Sequence, residues 1–291
     1  MLELERVLNA KEKKFKKKFL SKIISYFKNF LKKKFKFFFQ FKEFKKKSKT
    51  FEGWGLITTD TIPPWKNEIN PDVKKFNKAL DQLKDLVREK KFNLTQFDYH
   101  DTDYNKIIDE LSWRHYIVFN SILMASQNSK SKKFNIAEFG VCDGLTIFFA
   151  LHACNYKNLD HKAYLYDTWK ELDEKNEKLR FKYSYLDIEK TKNNLSNFKD
   201  YVVFNQGLIP DIFEESDNPN DLNWIHIDLN SSMATFETLN FFYNKLFSGG
   251  IILFDDYGGF KETQKIIDKF FLEKEGHFLN LPTGQGIFIK K

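Results

Sequence analysis

From about residue 134 the chain alternates short apolar runs with amphipathic stretches. The runs are FNIAEFG, KAYLYD, YVVFNQG, NWIHID and GIILFDD. Helical periodicity fills the intervals near 144–155, 185–198, 233–247 and 260–273. Apolar runs this short suit strands covered on both faces, and the helices between them supply the cover. The pattern predicts βαβ units and an α/β fold with a doubly wound, mostly parallel sheet. The closing LPTGQGIFIKK adds an antiparallel hairpin, with Gln285 between Gly284 and Gly286 expected mainly to serve its turn, a position from which it could also face the site. Upstream, helical spacing at 72–90 (Phe76, Leu80, Leu83, Leu86, Val87) and at 104–127 predicts a helical N-terminal extension. The boundaries read as 1–50, a basic Lys/Phe-rich tail; 51–130, a Pro-containing linker and the helical extension; and 131–291, the α/β domain.

Charge separates the tail from the rest. Of the net +8, residues 1–50 carry +14, from seventeen Lys and one Arg against four Glu, leaving −6 for the remainder. A mildly acidic main domain argues against nucleic acid as its partner. The tail has three readings. It is a solvated segment shaped by Lys-rich composition, an interfacial helix contacting a membrane surface through residues 11–49, or a basic-aromatic contact for nucleic acid. No apolar run approaches the ~20 residues of a spanning helix. Lysines interrupt any signal-peptide core, and two cysteines, Cys142 and Cys154, are too few for a disulfide scaffold. A reducing cytoplasm, with contact to a membrane surface if the tail supplies it, is the expected location.

Two segments point to a nucleoside-like ligand. NIAEFGVCDGLT reads as strand, tight turn and helix, with Glu138 at the strand end, Gly140 and Gly144 framing the turn, and Asp143 at the helix start. Glycines there let a ligand approach the backbone. Neither a phosphate-binding Gly-Lys-Ser/Thr nor G-x-G-x-x-G is present. The acid suits a ligand that offers hydroxyls or an ammonium. Asp167 ends the next strand, where α/β folds place a ribose acceptor. Asp228 ends NWIHID, and Asp255 and Asp256 end GIILFDD. Neighbouring strand ends share one crevice, and three carboxylates there repel unless protonated or bridged by a cation. Mg²⁺, a hard ion with oxygen ligands, suits Asp228, Asp255 and Asp256.

Together these residues resemble the class I S-adenosylmethionine-dependent methyltransferases and, within them, the macrocin O-methyltransferase (TylF-like) family, over roughly 110–291. The resemblance implies a seven-stranded Rossmann-like domain and a methyltransferase. It implies that the Gly140 turn, with Glu138, Asp143 and Gly144, cradles the methionine part of S-adenosylmethionine. Asp167 would hold the ribose, and Gln206 and Gly207 would lie beside the adenine. The three acids would form a Mg²⁺ site that binds a sugar diol and lowers the pKa of the attacking hydroxyl.

The family pattern places a second acid, the general base, two residues after Asp228, where this chain has Asn230. An amide accepts no proton at neutral pH but can orient a hydroxyl. His226, on the same strand side as Asp228, is a titratable substitute, though a buried structural role is the plainer reading; Tyr257 is read mainly as packing or substrate contact. The family's tyrosine early in the following helix is also missing from SSMATFET. The leading expectation is an enzyme that O-methylates a small molecule, a sugar or glycan precursor, with Asp228, Asn230 and His226 as catalytic candidates. The alternative is a catalytically weak S-adenosylmethionine-binding protein whose tail is a membrane or partner interaction module.

Overall fold

Adjacent strand pairs in a parallel sheet must be joined by crossovers, and the chain places a helix in each of its long intervals. The computed structural model describes residues 64–94, 108–129, 131–170 and 186–291. The basic tail, the linker up to residue 63 and the start of the second helical pattern lie outside the described residues. Two helices precede the sheet: α1 (Pro71–Arg88) and α2 (Ser112–Asn128). Then follow β1 (Lys133–Phe139), α3 (Leu145–Tyr156), β2 (Asp160–Asp167), α4 (Ile188–Asn194), β3 (Val202–Gln206), α5 (Ile212–Glu215) and β4 (Leu222–Ile227). The chain ends with α6 (Ser232–Phe242), β5 (Leu246–Phe254), α7 (Lys261–Phe271), β6 (Gly276–Asn280) and β7 (Gly286–Lys290).

The sheet has seven strands in the order β3-β2-β1-β4-β5-β7-β6. All neighbours are parallel except β7, which runs antiparallel to both β5 and β6. Order reverses between β1 and β4, so the crevice beyond their C-terminal ends is the topological switch point. The expected strands and helices are present, as is the closing hairpin.

Side-chain alternation assigns the two faces. Phe134 and Ile136 of β1, Trp224 of β4 and Ile251 and Leu253 of β5 pack with α1, α2 and α3. Ala137 and Phe139, Ile225 and Ile227, and Ile252 and Phe254 pack on the other face with α6 and α7. The same alternation puts Glu138, His226 and Asp255 on the α2 face. Helix α3 is apolar all round because the sheet lies on one side and α1 and α2 on the other; nine of its twelve residues are buried. Helix α1 starts where Asn70 accepts from the Asp72 N–H at 2.9 Å, with Pro71 at its first position, and buries Val73, Phe76, Ala79, Leu80 and Leu83. No described helix is long and apolar enough to cross a membrane.

Candidate active site

The turn after β1 is built by backbone geometry that few side chains tolerate. Gly140 has φ +84° and Gly144 φ +81°, and Cys142 between them adopts φ +52°. A Cβ at Gly140 would stand 2.0 Å from the Asp228 carbonyl oxygen, so β1 and β4 approach here as only glycine allows. Asp167 holds the turn from the side: its Oδ2 accepts the N–H groups of Val141 and Cys142, both at 2.8 Å. Its Oδ1 accepts the Trp169 N–H at 2.9 Å. The Cys142 carbonyl accepts from Thr191 Oγ1 (2.7 Å) and Trp169 Nε1 (3.0 Å). Burial pushes the Cys142 thiol well above its ordinary pKa.

Asn194 extends this support to the N-terminal extension. Its amide nitrogen donates to the carbonyls of Asp143 (2.9 Å) and Asn93 (3.1 Å), and its oxygen accepts the Asn93 N–H at 2.7 Å. Leu94, just beyond, lines a cavity together with Leu111, Arg114, His115, Gly140, Asp143, Thr146 and Asp228. Gln206 and Gly207 sit at the end of β3 beside Asp167: Gln206 Nε2 donates to the Thr168 carbonyl at 3.1 Å and Gly207 N–H to the Asp167 carbonyl at 3.0 Å. The glycine cradle and its small cavity lie beyond the end of β1, and Asp167, Gln206 and Gly207 form the next rim along the sheet.

Glu138 is placed differently from its neighbours. It is 1% exposed, under α2, with Oε1 at 2.9 Å from His226 Nδ1. Burial raises the Glu138 pKa against the lowering pull of His226. Burial would lower His226, but the hydrogen bond and charge of Glu138, followed by Asp255 and Asp228, raise it. His226 Nε2 in turn lies 4.0 Å from Asp255 Oδ1.

The acids at the ends of β4 and β5 converge. Asp228, Asp255 and Asp256 each bring a carboxylate oxygen within 4.8 Å of the others. This oxygen set fits a hard divalent ion. The protein also supplies a cation of its own, Arg114, which no local sequence motif marks. Arg114 Nη2 donates to Asp228 Oδ2 at 2.6 Å, and Arg114 Nε lies 2.8 Å from Asp255 Oδ1. Gln285 stands at the hairpin turn, where its carbonyl accepts the Leu281 N–H at 2.8 Å, and its side chain also reaches the acids. It is fully buried and donates from Nε2 to the same Asp255 Oδ1 at 3.0 Å. Tyr257 points elsewhere: its hydroxyl donates to Asp268 Oδ1 at 2.5 Å.

Burial, with the Asp228 charge next, pushes Asp255 up to about 6 against the pull of Arg114 and His226. The folded protein therefore holds this proton more tightly than the unfolded chain, whose value is 3.8. The group favours folding below that value, and the contribution is lost as pH rises through about 6. In chelator-treated protein, wild type should lose on the order of 2 kcal/mol relative to Asp255→Asn between pH 4 and pH 7, read from urea unfolding. A pH-independent difference between the two would contradict this.

Comparison with known proteins follows the same outline. Residues 137–257, from β1 to just past β5, match the family model of a methyltransferase domain. The solved structure of the O-methyltransferase NovP is 18% identical, with TM-score 0.51, covering 61% of this chain and 79% of that one. The SAH-bound methyltransferase PaMTH1 of Podospora anserina is 13% identical, with TM-score 0.47, covering 79% and 99%. CalS11, a TDP-rhamnose 3′-O-methyltransferase of calicheamicin biosynthesis, is 17% identical, with TM-score 0.41, covering 73% and 93%. NovP shares the fold. No curated protein sequence matches the chain.

Proposed function

We propose that this chain, an S-adenosylmethionine-dependent methyltransferase of class I whose residues 137–257 match the methyltransferase domain model, methylates a hydroxyl oxygen of a small, sugar-like acceptor. The observation that carries this reading is the pairing of two features across the switch point. A glycine cradle lies at the end of β1, and three carboxylates cluster at the ends of β4 and β5, of which Asp228 lines the cavity beside Gly140. A carboxylate cluster there suits an acceptor that offers adjacent hydroxyls, and NovP, with which the chain shares its fold, is an O-methyltransferase.

Gly140, Asp143 and Gly144 would hold the amino-acid end of the cofactor, Asp167 the ribose, and Gln206 and Gly207 the adenine side. Bound there, the cofactor supplies an electrophilic methyl group. Asp228, Asp255 and Asp256 would hold Mg²⁺, which supplies positive charge that lowers the pKa of a nearby hydroxyl when bound. The chain's own residues position the acceptor hydroxyl and take up its proton. Asp228 is the open-side acid, 21% exposed by its side chain, and is the acceptor of choice. Asn230 can orient the hydroxyl but not deprotonate it. His226 acts through Asp255, because Glu138 occupies its Nδ1 and the sheet buries it.

Asn230 in place of an acid favours a second reading, a protein that binds the cofactor but turns over weakly. Calorimetry with S-adenosylhomocysteine and release of S-adenosylhomocysteine from S-adenosylmethionine over a panel of nucleotide sugars separate the two. Binding together with turnover is expected. Binding without turnover on any hydroxylated acceptor leaves only the second reading, and no binding removes both.

A further inference from the structure

We propose that Arg114 is a positioning residue of the active site: it bridges Asp228 and Asp255 and fixes the two strand-end acids in the arrangement that receives the acceptor. This rests on the reading of those acids as the acceptor site. Arg114 lies in the first turn of α2, outside the span 137–257 that matches the methyltransferase domain. The helix is anchored by its neighbours. His115 stacks on Phe149 with ring centroids 4.6 Å apart, and Val118, Phe119 and Ile122 are fully buried. Leu111 and Arg114, three residues apart and therefore on one helix face, both line the cavity.

Two different nitrogens of one guanidinium reach two different acids, at 2.6 and 2.8 Å. The side chain is 19% exposed. An ammonium concentrates its charge and donors on one flexible, strongly hydrated nitrogen, whereas the planar guanidinium presents two nitrogens to the two acids in a fixed geometry. Arginine is scarce in this chain, four against the forty-eight basic residues in total, so a lysine would be the compositional default at an arbitrary position. Asp255 is also held by Gln285: its Oδ1 accepts from Gln285 Nε2 at the β6–β7 turn and ion-pairs with Arg114 Nε from α2. Arg114 also places a fixed positive charge against the oxygen set formed by Asp228, Asp255 and Asp256. A divalent ion bound by those acids lies in the field of that charge and is weakened by it.

The test uses the full chain with Arg114→Met and Arg114→Lys, and Arg114→Gln where the methionine variant fails to fold. Three quantities are read: S-adenosylhomocysteine affinity, kcat for methyl transfer, and affinity for Mn²⁺ alone. Arg114→Met is expected to lower kcat about 100-fold while the S-adenosylhomocysteine Kd moves less than about 5-fold, because misplaced acids affect the reaction more than cofactor binding. Arg114→Lys should recover less than about a tenth of the loss, since charge without the fork does not rebuild the bridge. Mn²⁺ should bind Arg114→Met at least about 10-fold tighter than wild type. A kcat within about 3-fold of wild type, or full rescue by lysine, overturns the positioning role. Mn²⁺ affinity unchanged or weakened by Arg114→Met overturns the bridge. A wild type that binds no S-adenosylhomocysteine overturns the proposed function instead, and the Mn²⁺ comparison still decides the bridge.

Discussion

Gly140→Ala is expected to destabilise the protein by on the order of 4 kcal/mol and to abolish cofactor binding. Two separate costs add at this position. The backbone has φ +84°, where a residue with a Cβ loses roughly 1–2 kcal/mol. The added Cβ would also stand 2.0 Å from the Asp228 carbonyl oxygen and 2.9 Å from its carbonyl carbon. Those atoms belong to the backbone that leaves β4, and they cannot swing away as a side chain would. The Asp228 N–H donates to the Phe139 carbonyl at 2.9 Å, so relief of the overlap must stretch the β1–β4 junction itself. Gly284→Ala is the control. Its φ is +93°, but an added Cβ meets nothing within 4 Å, so it bears only the backbone cost. Thermal unfolding should drop by about 10 °C or more for Gly140→Ala and by roughly 3–6 °C for Gly284→Ala. Equal drops for the two variants would show that the close approach to Asp228 does not matter.

The same junction shows what can be read from sequence and what cannot. Gly140, Asp167, Asp228, Asp255 and Asp256 each sit at the end of an apolar strand, and strand ends meet by the rules of the fold. Their convergence followed from the strand-and-helix pattern together with the rule that neighbouring strand ends share one crevice. Arg114 followed no such rule. It meets Asp228 across 114 positions of sequence, from a helix whose apolar periodicity defines the face toward the core but not the partner of a cation beside it. The one available signal was compositional, a rare arginine in a chain otherwise served by lysine. Gln285 was obscured for a different reason. Flanking glycines mark a turn, and the turn is real. Its neighbour depends on strand order: β7 inserts next to β5 in antiparallel register, Phe254 opposite Gly286, which brings the next residue pair, Asp255 and Gln285, together. Alternation placed His226 correctly on the Asp228 side of β4, but nothing local tied it to Glu138. That pairing comes from the β1–β4 register, in which Glu138 and His226 are direct partners. The meeting of neighbouring parallel strand ends was therefore readable, and contacts that depend on exact register, on the insertion of β7 beside β5 or on a helix crossing the sheet were not.

Asp228→Asn tests the acid on which the proposed chemistry turns. The substitution keeps the shape of the side chain and the backbone contact to Gly140, so the cradle should survive: the expected change in S-adenosylhomocysteine Kd is less than about 10-fold and the unfolding temperature moves by only a few degrees. The reaction should suffer far more. An amide cannot take up the proton of an acceptor hydroxyl, and Asn230, two residues on, cannot take over the task. The change also removes the charge opposite Arg114 Nη2, leaving that guanidinium with Asp255 as its remaining partner of the two acids it bridges. Loss of general-base action lowers kcat by about 10²–10⁴-fold, and a loosened clamp adds to this. The pair Asp228→Asn and Asn230→Asp together separates the two contributions. If proton uptake is what matters, an acid restored at position 230 recovers a large part of the lost kcat although Arg114 Nη2 still faces an amide. If the clamp on Asp228 matters more, the double variant stays as slow as Asp228→Asn alone. A kcat for Asp228→Asn within about 3-fold of wild type would remove Asp228 from the reaction altogether, and with it the reading of the strand-end acids as the acceptor site.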